Sequence, residues 1–173
     1  WPTVNGMKAE GNTYTGFLYA GLMIDKAGQP KVIEFNCRFG DPETQPIMLR
    51  LNSDLVALCL AAVDGTLDTQ SSEWDPRPAL GVVLAAGGYP GSYRTGDQIH
   101  GLPLEAVPEG KVFHAGTTLQ DDRVVTSGGR VLCVTALGED VAAAQRNAYA
   151  LAETISWDGC FCRRDIGYRA INR

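Results

Sequence analysis

Three polar side chains, Glu34, Asn36 and Arg38, alternate with apolar residues in one short segment of the sequence. Successive side chains of a β-strand point to opposite faces, so this spacing places a carboxylate, an amide and a guanidinium on one face. Carboxylate and amide oxygens are the ligands that Mg²⁺ prefers, and Mg²⁺ fills its remaining positions with water and substrate phosphates. A guanidinium further along the face can hold a phosphate or a carboxylate by a forked contact. The segment therefore indicates a site for a metal–nucleotide complex.

The alternation alone leaves one other interpretation open. The same residues can form a solvent-exposed strand face on which Glu34 and Arg38 pair with each other and bind nothing else. Both interpretations place the same side chains on the same face, so the spacing does not choose between them.

The elements around this segment follow from changes in periodicity. Residues 1–16 are rich in Gly, Asn and Thr and predict a loop with a short entry strand. The apolar run Phe17–Ile24 predicts a buried strand, residues 25–30 a hairpin turn, and Lys31–Phe39 the return strand. Beyond Pro42 the period becomes helical, which predicts a short helix over Thr44–Arg50.

A second helix and a second unit follow. Ser53 is the expected N-cap of the helix, and Gly65 marks its end. Residues 71–78 are the predicted linker between a first domain, 1–70, and a second, 79–173. The second domain is expected to contain four strands and an amphipathic helix: Leu80–Ala86, Val112–Thr117, Val124–Thr126, Val131–Leu137 and the helix Glu139–Ile155. The predicted fold class is α/β in the broad sense, an α+β chain with antiparallel strands.

Composition excludes several classes of protein. Apolar residues make up 45% and charged residues 20% of the 173 residues, which is typical of a globular chain and not of a disordered one. The formal net charge of −5 disfavours nucleic acid as a partner, and no apolar run approaches the length of a membrane span. Five cysteines, an odd number within apolar segments, predict reduced, buried thiols in a cytoplasmic protein.

Other tempting features carry less chemistry. The glycine-rich run 87–91 lacks the Gly-Lys-Ser/Thr of a P-loop and predicts a structural turn. Cys160 and Cys162 have no second pair at zinc spacing, so a strand is the favoured interpretation. His100 and His114 receive no catalytic role, and the arginines near the end of the chain predict a solvated tail.

Longer stretches of the sequence resemble a known family. Residues 32–45 read VIEFNCRFGDPETQ, and the part RFGDPETQ is the most specific motif of the phosphoribosylamine–glycine ligase family. Four other stretches agree with the same family, and together they extend over essentially the whole chain: EGNTYTGFLYAGL at 10–22, AAGGYPG at 85–91, FHAGT at 113–117 and DIGYRA at 165–170.

The resemblance implies an ATP-grasp enzyme, which joins a carboxylate to an amine through an acyl phosphate. It implies that residues 1–70 are the C-terminal section of the ATP-grasp domain and that 79–173 are the small, mixed β/α C-terminal domain. The opening Trp1-Pro2, without an initiator Met, reads as if cut from a longer polypeptide. The N-terminal half, with the substrate domain and nucleotide lid, is then an expected partner, and the isolated piece is expected to be inactive.

The resemblance also implies roles for individual residues. Glu34 and Asn36 match the ligands of Mg²⁺ or Mn²⁺ that bridges the ATP phosphates. Arg38 and Asp41 match catalytic positions, with Arg38 beside the acyl phosphate, while Glu43 and Thr44 match substrate-binding positions in the motif's loop. The implied small-molecule substrates are ATP, glycine and 5-phosphoribosylamine, which would give glycinamide ribonucleotide in purine biosynthesis.

One departure from the wider superfamily is visible. Many ATP-grasp enzymes carry another acid on the preceding strand, whereas the run Leu18–Ile24 has none, and Asp25 is interpreted as a turn residue. Two alternatives stay open: another ATP-grasp ligase of purine synthesis, and a non-catalytic binding or assembly module derived from one.

Overall fold

The computed structural model describes residues 2–171. These residues form two compact units, one from the residues up to Gly40 together with Asn52–Glu73, the other from Asp41–Leu51 together with the residues from Trp74 onward. The limits predicted for the two domains remain a prediction, and their ends at residues 1 and 173 lie outside the described part of the chain. The mixed α/β class with antiparallel sheets is confirmed.

The first unit is built on a hairpin. Strand β1, Tyr19–Ile24, pairs antiparallel with strand β2, Pro30–Asn36. Asp25 closes the turn, since its Oδ1 accepts hydrogen bonds from the backbone N–H of Ala27 at 2.9 Å and of Gln29 at 3.0 Å. The prediction that Asp25 serves the turn is therefore confirmed.

The apolar side chains of this hairpin are exposed. The predicted strand is present, but the prediction that it is buried is wrong. Leu22, Met23 and Ile33 expose 49, 59 and 64% of their surface. A hairpin buries a face only where another layer packs on it, and within residues 2–171 no layer covers this one. An apolar run shows what can be buried and does not show whether a partner is present.

Two helices of the first unit differ from expectation. Helix α1, Pro2–Ala9, replaces the predicted loop. Gly11, at φ +79°, ends it: the N–H groups of Gly11 and Asn12 reach back to the carbonyls of Lys8 and Met7. Gly11 was the sequence signal for this helix, because a glycine with positive φ commonly ends a helix.

Helix α3, Leu55–Val63, begins one residue later than predicted. Asp54 caps it by accepting from Val56 N at 2.8 Å, while the hydroxyl of Ser53, the predicted cap, accepts from Glu73 N at 2.7 Å. Both Ser and Asp side chains can cap a helix. The contact of Ser53 with Glu73 N leaves Asp54 as the cap. Gly65 ends the helix as predicted.

The elements of the second unit are α2 Thr44–Arg50, β3 Ala79–Ala85, β4 Gly110–His114, β5 Thr117–Gln120, β6 Arg123–Thr126, β7 Arg130–Leu137, α4 Val141–Ala152 and α5 Tyr168–Ile171. Three of the strands form an antiparallel sheet in the order β3-β7-β4, and β5 and β6 form a separate hairpin. The bounds of α2 and the existence of four strands and α4 agree with prediction, whereas β5 and α5 were not predicted. No helix among the described residues is long and apolar enough to cross a bilayer.

The core of this unit lies between the sheet and α4. Val82 and Val134 are fully buried, as are Ala144 and Ala148 on the facing side of the helix. Small alanines let the helix approach the strands closely. The other face of the sheet receives α2, where a Cβ on Gly81 would lie 3.2 Å from Pro46 Cγ. This packing fixes the chain immediately after the Asp41–Glu43 segment.

Candidate functional site

Strand β2 and the bend after it bring Glu34, Asn36 and Arg38 together. The amide Nδ2 of Asn36 donates to Glu34 Oε1 over 3.0 Å, and Arg38 Nη2 donates to Asn36 Oδ1 over 3.3 Å. These contacts join the three polar side chains in one row, so the face predicted from alternation is present in the fold.

The amide of Asn36 lies between its two charged neighbours. Its nitrogen faces the carboxylate of Glu34 and its oxygen faces Arg38. Two acceptor oxygens repel each other unless a cation lies between them, whereas an N–H donor satisfies the carboxylate directly. Half a turn about the last side-chain bond exchanges the amide oxygen and nitrogen.

The donor set suits a hard divalent cation. Glu34 and Asn36 offer only oxygen, both side chains reach solvent, and the amide can turn its oxygen toward the carboxylate. Residues 2–171 contain no group of three or more His, Cys, Asp or Glu that could enclose a metal alone. The residues therefore fit an ion that takes few ligands from this strand and completes its shell with water and phosphate oxygens.

The register of the hairpin places a glycine opposite the proposed metal ligand Glu34. Gly21 lies opposite Glu34, and Tyr19 lies opposite Asn36. A Cβ at Gly21 would lie 3.2 Å from Glu34 Cγ, so glycine leaves room for the Glu34 side chain. Periodicity analysis missed Gly21; its signal was a glycine within an apolar strand, which often marks a close approach.

Arg38 and Phe39 are held from within the first unit. Arg38 Nη1 donates to the carbonyl of Phe39 over 2.9 Å, and the ring of Phe39 stacks on Phe17 with centroids 3.8 Å apart. Tyr14 donates to the carbonyl of Phe17 over 2.7 Å, and burial, followed by the nearby Cys37, raises the pKa of the Tyr14 hydroxyl. The aromatic pair thus positions the backbone that carries the guanidinium.

The remaining predicted site residues lie in the second unit. Asp41 pairs with Arg130, whose Nη2 is 3.1 Å from Asp41 Oδ2 and whose Nη1 donates to the Asp41 carbonyl over 3.1 Å. Glu43 occupies the N-cap position of α2 without a side-chain cap, and Thr44 is the first residue of the helix. Arg130 was missed by sequence analysis, because it is 89 residues away from its partner and belongs to no motif.

The cysteines are less buried than predicted. All five are free, but only Cys133 is buried, and Cys37 is exposed. Burial raises the pKa of Cys133 and raises that of Cys160 to about 11, so neither thiol is activated as a nucleophile. The expectation of buried thiols fails for Cys37 because the hairpin that carries it is exposed.

Comparison with known proteins gives the class first. Residues 1–44 match the profile described as "Phosphoribosylglycinamide synthetase, ATP-grasp (A) domain", which makes this part of the chain an ATP-grasp segment. Residues 79–169, more than half of the chain, match "Phosphoribosylglycinamide synthetase, C domain". The chain belongs to the phosphoribosylglycinamide synthetase family, and the resemblance drawn from the motifs is confirmed.

Individual relatives agree. The chain is 78% identical to a phosphoribosylamine–glycine ligase from Escherichia coli O6:H1 over 100% of its own length and 41% of the relative's. It is 72% identical to the ligase of that name from Pseudomonas syringae pv. tomato, over 100% of its length and 40% of the relative's. The crystal structure of the Thermotoga maritima phosphoribosylamine–glycine ligase superimposes with a TM-score of 0.81 at 41% identity, covering 93% of this chain and 39% of that one. The chain thus spans about two fifths of the length of these relatives.

Proposed function

We propose that this chain forms part of an enzyme that joins glycine to 5-phosphoribosylamine at the expense of ATP. The observation that carries the proposal is the row of Glu34, Asn36 and Arg38 on one hairpin face, in a chain whose relatives are named for this ligation. The product is glycinamide ribonucleotide, which places the reaction in the synthesis of purines.

The reaction proceeds in two steps. A carboxylate oxygen of glycine attacks the γ-phosphorus of ATP, which forms glycyl phosphate and releases ADP. The amine of phosphoribosylamine then attacks the acyl carbon, the amide bond forms, and phosphate leaves with the proton of the amine taken up by a base or by solvent. Both steps develop negative charge on phosphoryl oxygens, so fixed cations at the site favour them.

Glu34 and Asn36 hold a divalent cation, Mg²⁺ or Mn²⁺, in this proposal. The oxygen-only donor set and the solvent access of Glu34 and Asn36, the first exposed and the second half-buried, support it. Such a cation, when bound, neutralises charge on the phosphates of ATP. The two residues orient it from one strand, while Gly21 leaves Glu34 the space to do so.

Arg38 and Asp41 are the proposed catalytic residues, and Glu43 and Thr44 the proposed substrate-binding residues. Arg38 follows the metal-ligand pair on the same face, where its guanidinium can contact the transferring phosphoryl group. Asp41, Glu43 and Thr44 lie at the entry to α2, a helix anchored on the sheet of the second unit. Their support is the motif they share with Arg38.

Two alternatives have distinct outcomes in one experiment. We expect the full-length protein to release ADP from ATP over repeated turnovers only when both glycine and phosphoribosylamine are present. ADP release with another carboxylate or amine in place of these substrates would indicate a different ATP-grasp ligase. No ligase activity with any such pair would favour a non-catalytic module.

We further propose that residues 1–173 alone are inactive and that activity requires the sequence that the relatives carry in addition. Alignment of three substrates needs a closed site that excludes water, and this chain spans about two fifths of the relatives' length. The exposed apolar residues of β1 and β2 are where we expect the other part to pack. Glycine-dependent ADP release by the isolated chain would contradict this proposal, and recovery of activity on adding the other part would support it.

A cytoplasmic location is proposed on the basis of the free cysteines. All five are free, and secreted chains of this size commonly pair their cysteines. Localisation of the tagged full-length protein by fractionation tests this, and recovery in an extracellular fraction would contradict it.

A further inference from the structure

The side chain of Arg130 contacts Asp41 at two points. One guanidinium nitrogen donates to the backbone carbonyl of Asp41 and the other lies against its carboxylate, each at 3.1 Å. A planar guanidinium that contacts a main-chain oxygen and a side-chain oxygen of one residue fixes both its position and its rotamer.

Arg130 itself is rigidly placed. It is the first residue of β7, pairs with Ala85 of β3, and precedes Val131, which is fully buried. Its carbonyl accepts from Gly116 N at 2.9 Å, and a Cβ on Gly116 would lie 2.8 Å from that oxygen. Arg130 lies in the central strand, and its backbone is held on one side by Ala85 and on the other by Gly116. The guanidinium therefore extends from a fixed position.

The other end of the Asp41–Thr44 segment is also anchored in this unit. Helix α2 begins at Thr44 and packs against β3 and β7. At its far end the carbonyl of Arg50 accepts from Asp75 N at 2.7 Å. The segment is thus held by α2 at one end and by Arg130 at the other.

This contact stabilises the fold little. The side chain of Arg130 is 40% exposed and that of Asp41 49% exposed, and ion pairs with such access to water have little effect on stability. The consequence of losing the contact is therefore a freer Asp41 in a protein that remains folded.

We propose that Arg130 is a positioning residue for the ligase reaction, acting through Asp41 from the C-terminal domain. The proposal rests on the proposed function, in which Asp41 takes part in catalysis. It assigns to this domain a direct part in ordering the active-site turn, made by a residue that does not itself contact substrate.

The test compares three variants of the full-length enzyme. We expect Arg130→Ala to lower kcat about tenfold to a hundredfold, as misplacement of a catalytic group by an ångström can do, with much smaller changes in the KM values. Arg130→Lys keeps the charge without the fork and should recover part of the lost kcat. Arg164→Ala is the matched control, because it removes another exposed ion pair of 3.1 Å, with Glu153, and should leave kcat unchanged.

A double-mutant cycle with Asp41→Asn separates the possible results. If Arg130 acts through Asp41, Arg130→Ala costs a smaller factor in the Asp41→Asn background than in the wild type. Equal factors in both backgrounds, or a wild-type kcat for Arg130→Ala, would overturn the inference while leaving the proposed function intact. The inference would also be overturned if Arg130→Ala lost kcat but was clearly less thermally stable than the control Arg164→Ala, because the loss would then reflect a weakened fold. A wild-type kcat for Asp41→Asn would instead contradict the proposed role of Asp41.

Discussion

Glu34 lies opposite Gly21 in the β1–β2 hairpin, and a Cβ at position 21 would come within 3.2 Å of Glu34 Cγ. The glycine is therefore part of the environment of the proposed metal ligand, although it has no side chain of its own. A larger side chain at this position would compete with Glu34 for the same space.

Enlarging residue 21 should displace Glu34 in steps. We expect turnover of the full-length enzyme to fall from the wild type to Gly21→Ala and further to Gly21→Val, the latter by about tenfold or more. Valine favours strands, so the hairpin itself should persist. The control is Ala20→Val, at the exposed neighbouring position opposite Phe35. Equal turnover in all four proteins would show that Glu34 does not need this space.

Removing the Glu34 carboxylate should abolish most activity without unfolding the protein. Glu34 is exposed, so Glu34→Ala leaves no core cavity, and we expect turnover to fall by about a hundredfold or more with an unchanged thermal midpoint. Asp68→Ala removes an exposed acid from the same unit and serves as control. Kinetics over a Mg²⁺ titration is the measurement; wild-type turnover with an unaltered Mg²⁺ dependence would exclude Glu34 as a ligand.

Exchanging Arg38 for lysine tests the planar fork. Lysine keeps the positive charge but cannot make two parallel contacts. We expect Arg38→Lys to lower turnover more than it weakens ATP binding, because the contact should be strongest to the transferring phosphoryl group. Steady-state kinetics and direct measurement of ATP affinity check this. An equal loss of affinity with full turnover would assign Arg38 to phosphate anchoring alone.

Asp75 should make stability depend on pH under acid conditions. Hydrogen bonds from the side chain and the backbone of Arg77 lower the pKa of Asp75 from 3.8 to about 2. A lowered folded-state pKa favours folding above the unfolded value and loses that effect as protons bind the folded state. We therefore expect Asp75→Asn to be less stable than wild type at pH 7, with the difference shrinking as the pH falls from about 4 to about 2.

Urea unfolding of both proteins across that pH range is the measurement. Arg77 also pairs with Glu109, so this part of the fold should keep one ion pair in the variant. A difference in stability that stays constant down to pH 2 would show that the Asp75 pKa is not lowered in the folded protein.

Local features of the fold could be predicted because neighbouring residues produce them. Alternation placed Glu34, Asn36 and Arg38 on one face, and the hydrogen bonds along that row agree with it. Asp25 forms its turn with backbone groups two and four residues away. Helix α2 lies within the predicted bounds, since a change of period marks its start. The motif around Arg38, together with four other stretches of the sequence, was sufficient to identify the family.

Only the tertiary structure decided how distant groups meet. Whether the apolar face of β1 and β2 is covered depends on a second layer and not on its own residues. Asp54 caps α3 in place of the predicted Ser53, whose hydroxyl accepts a hydrogen bond from Glu73 N. The contact between Arg130 and Asp41 joins residues far apart in the chain. Periodicity in the sequence reflects only residues that are a few positions apart. These contacts join distant residues and form only when packing has fixed the path of the backbone.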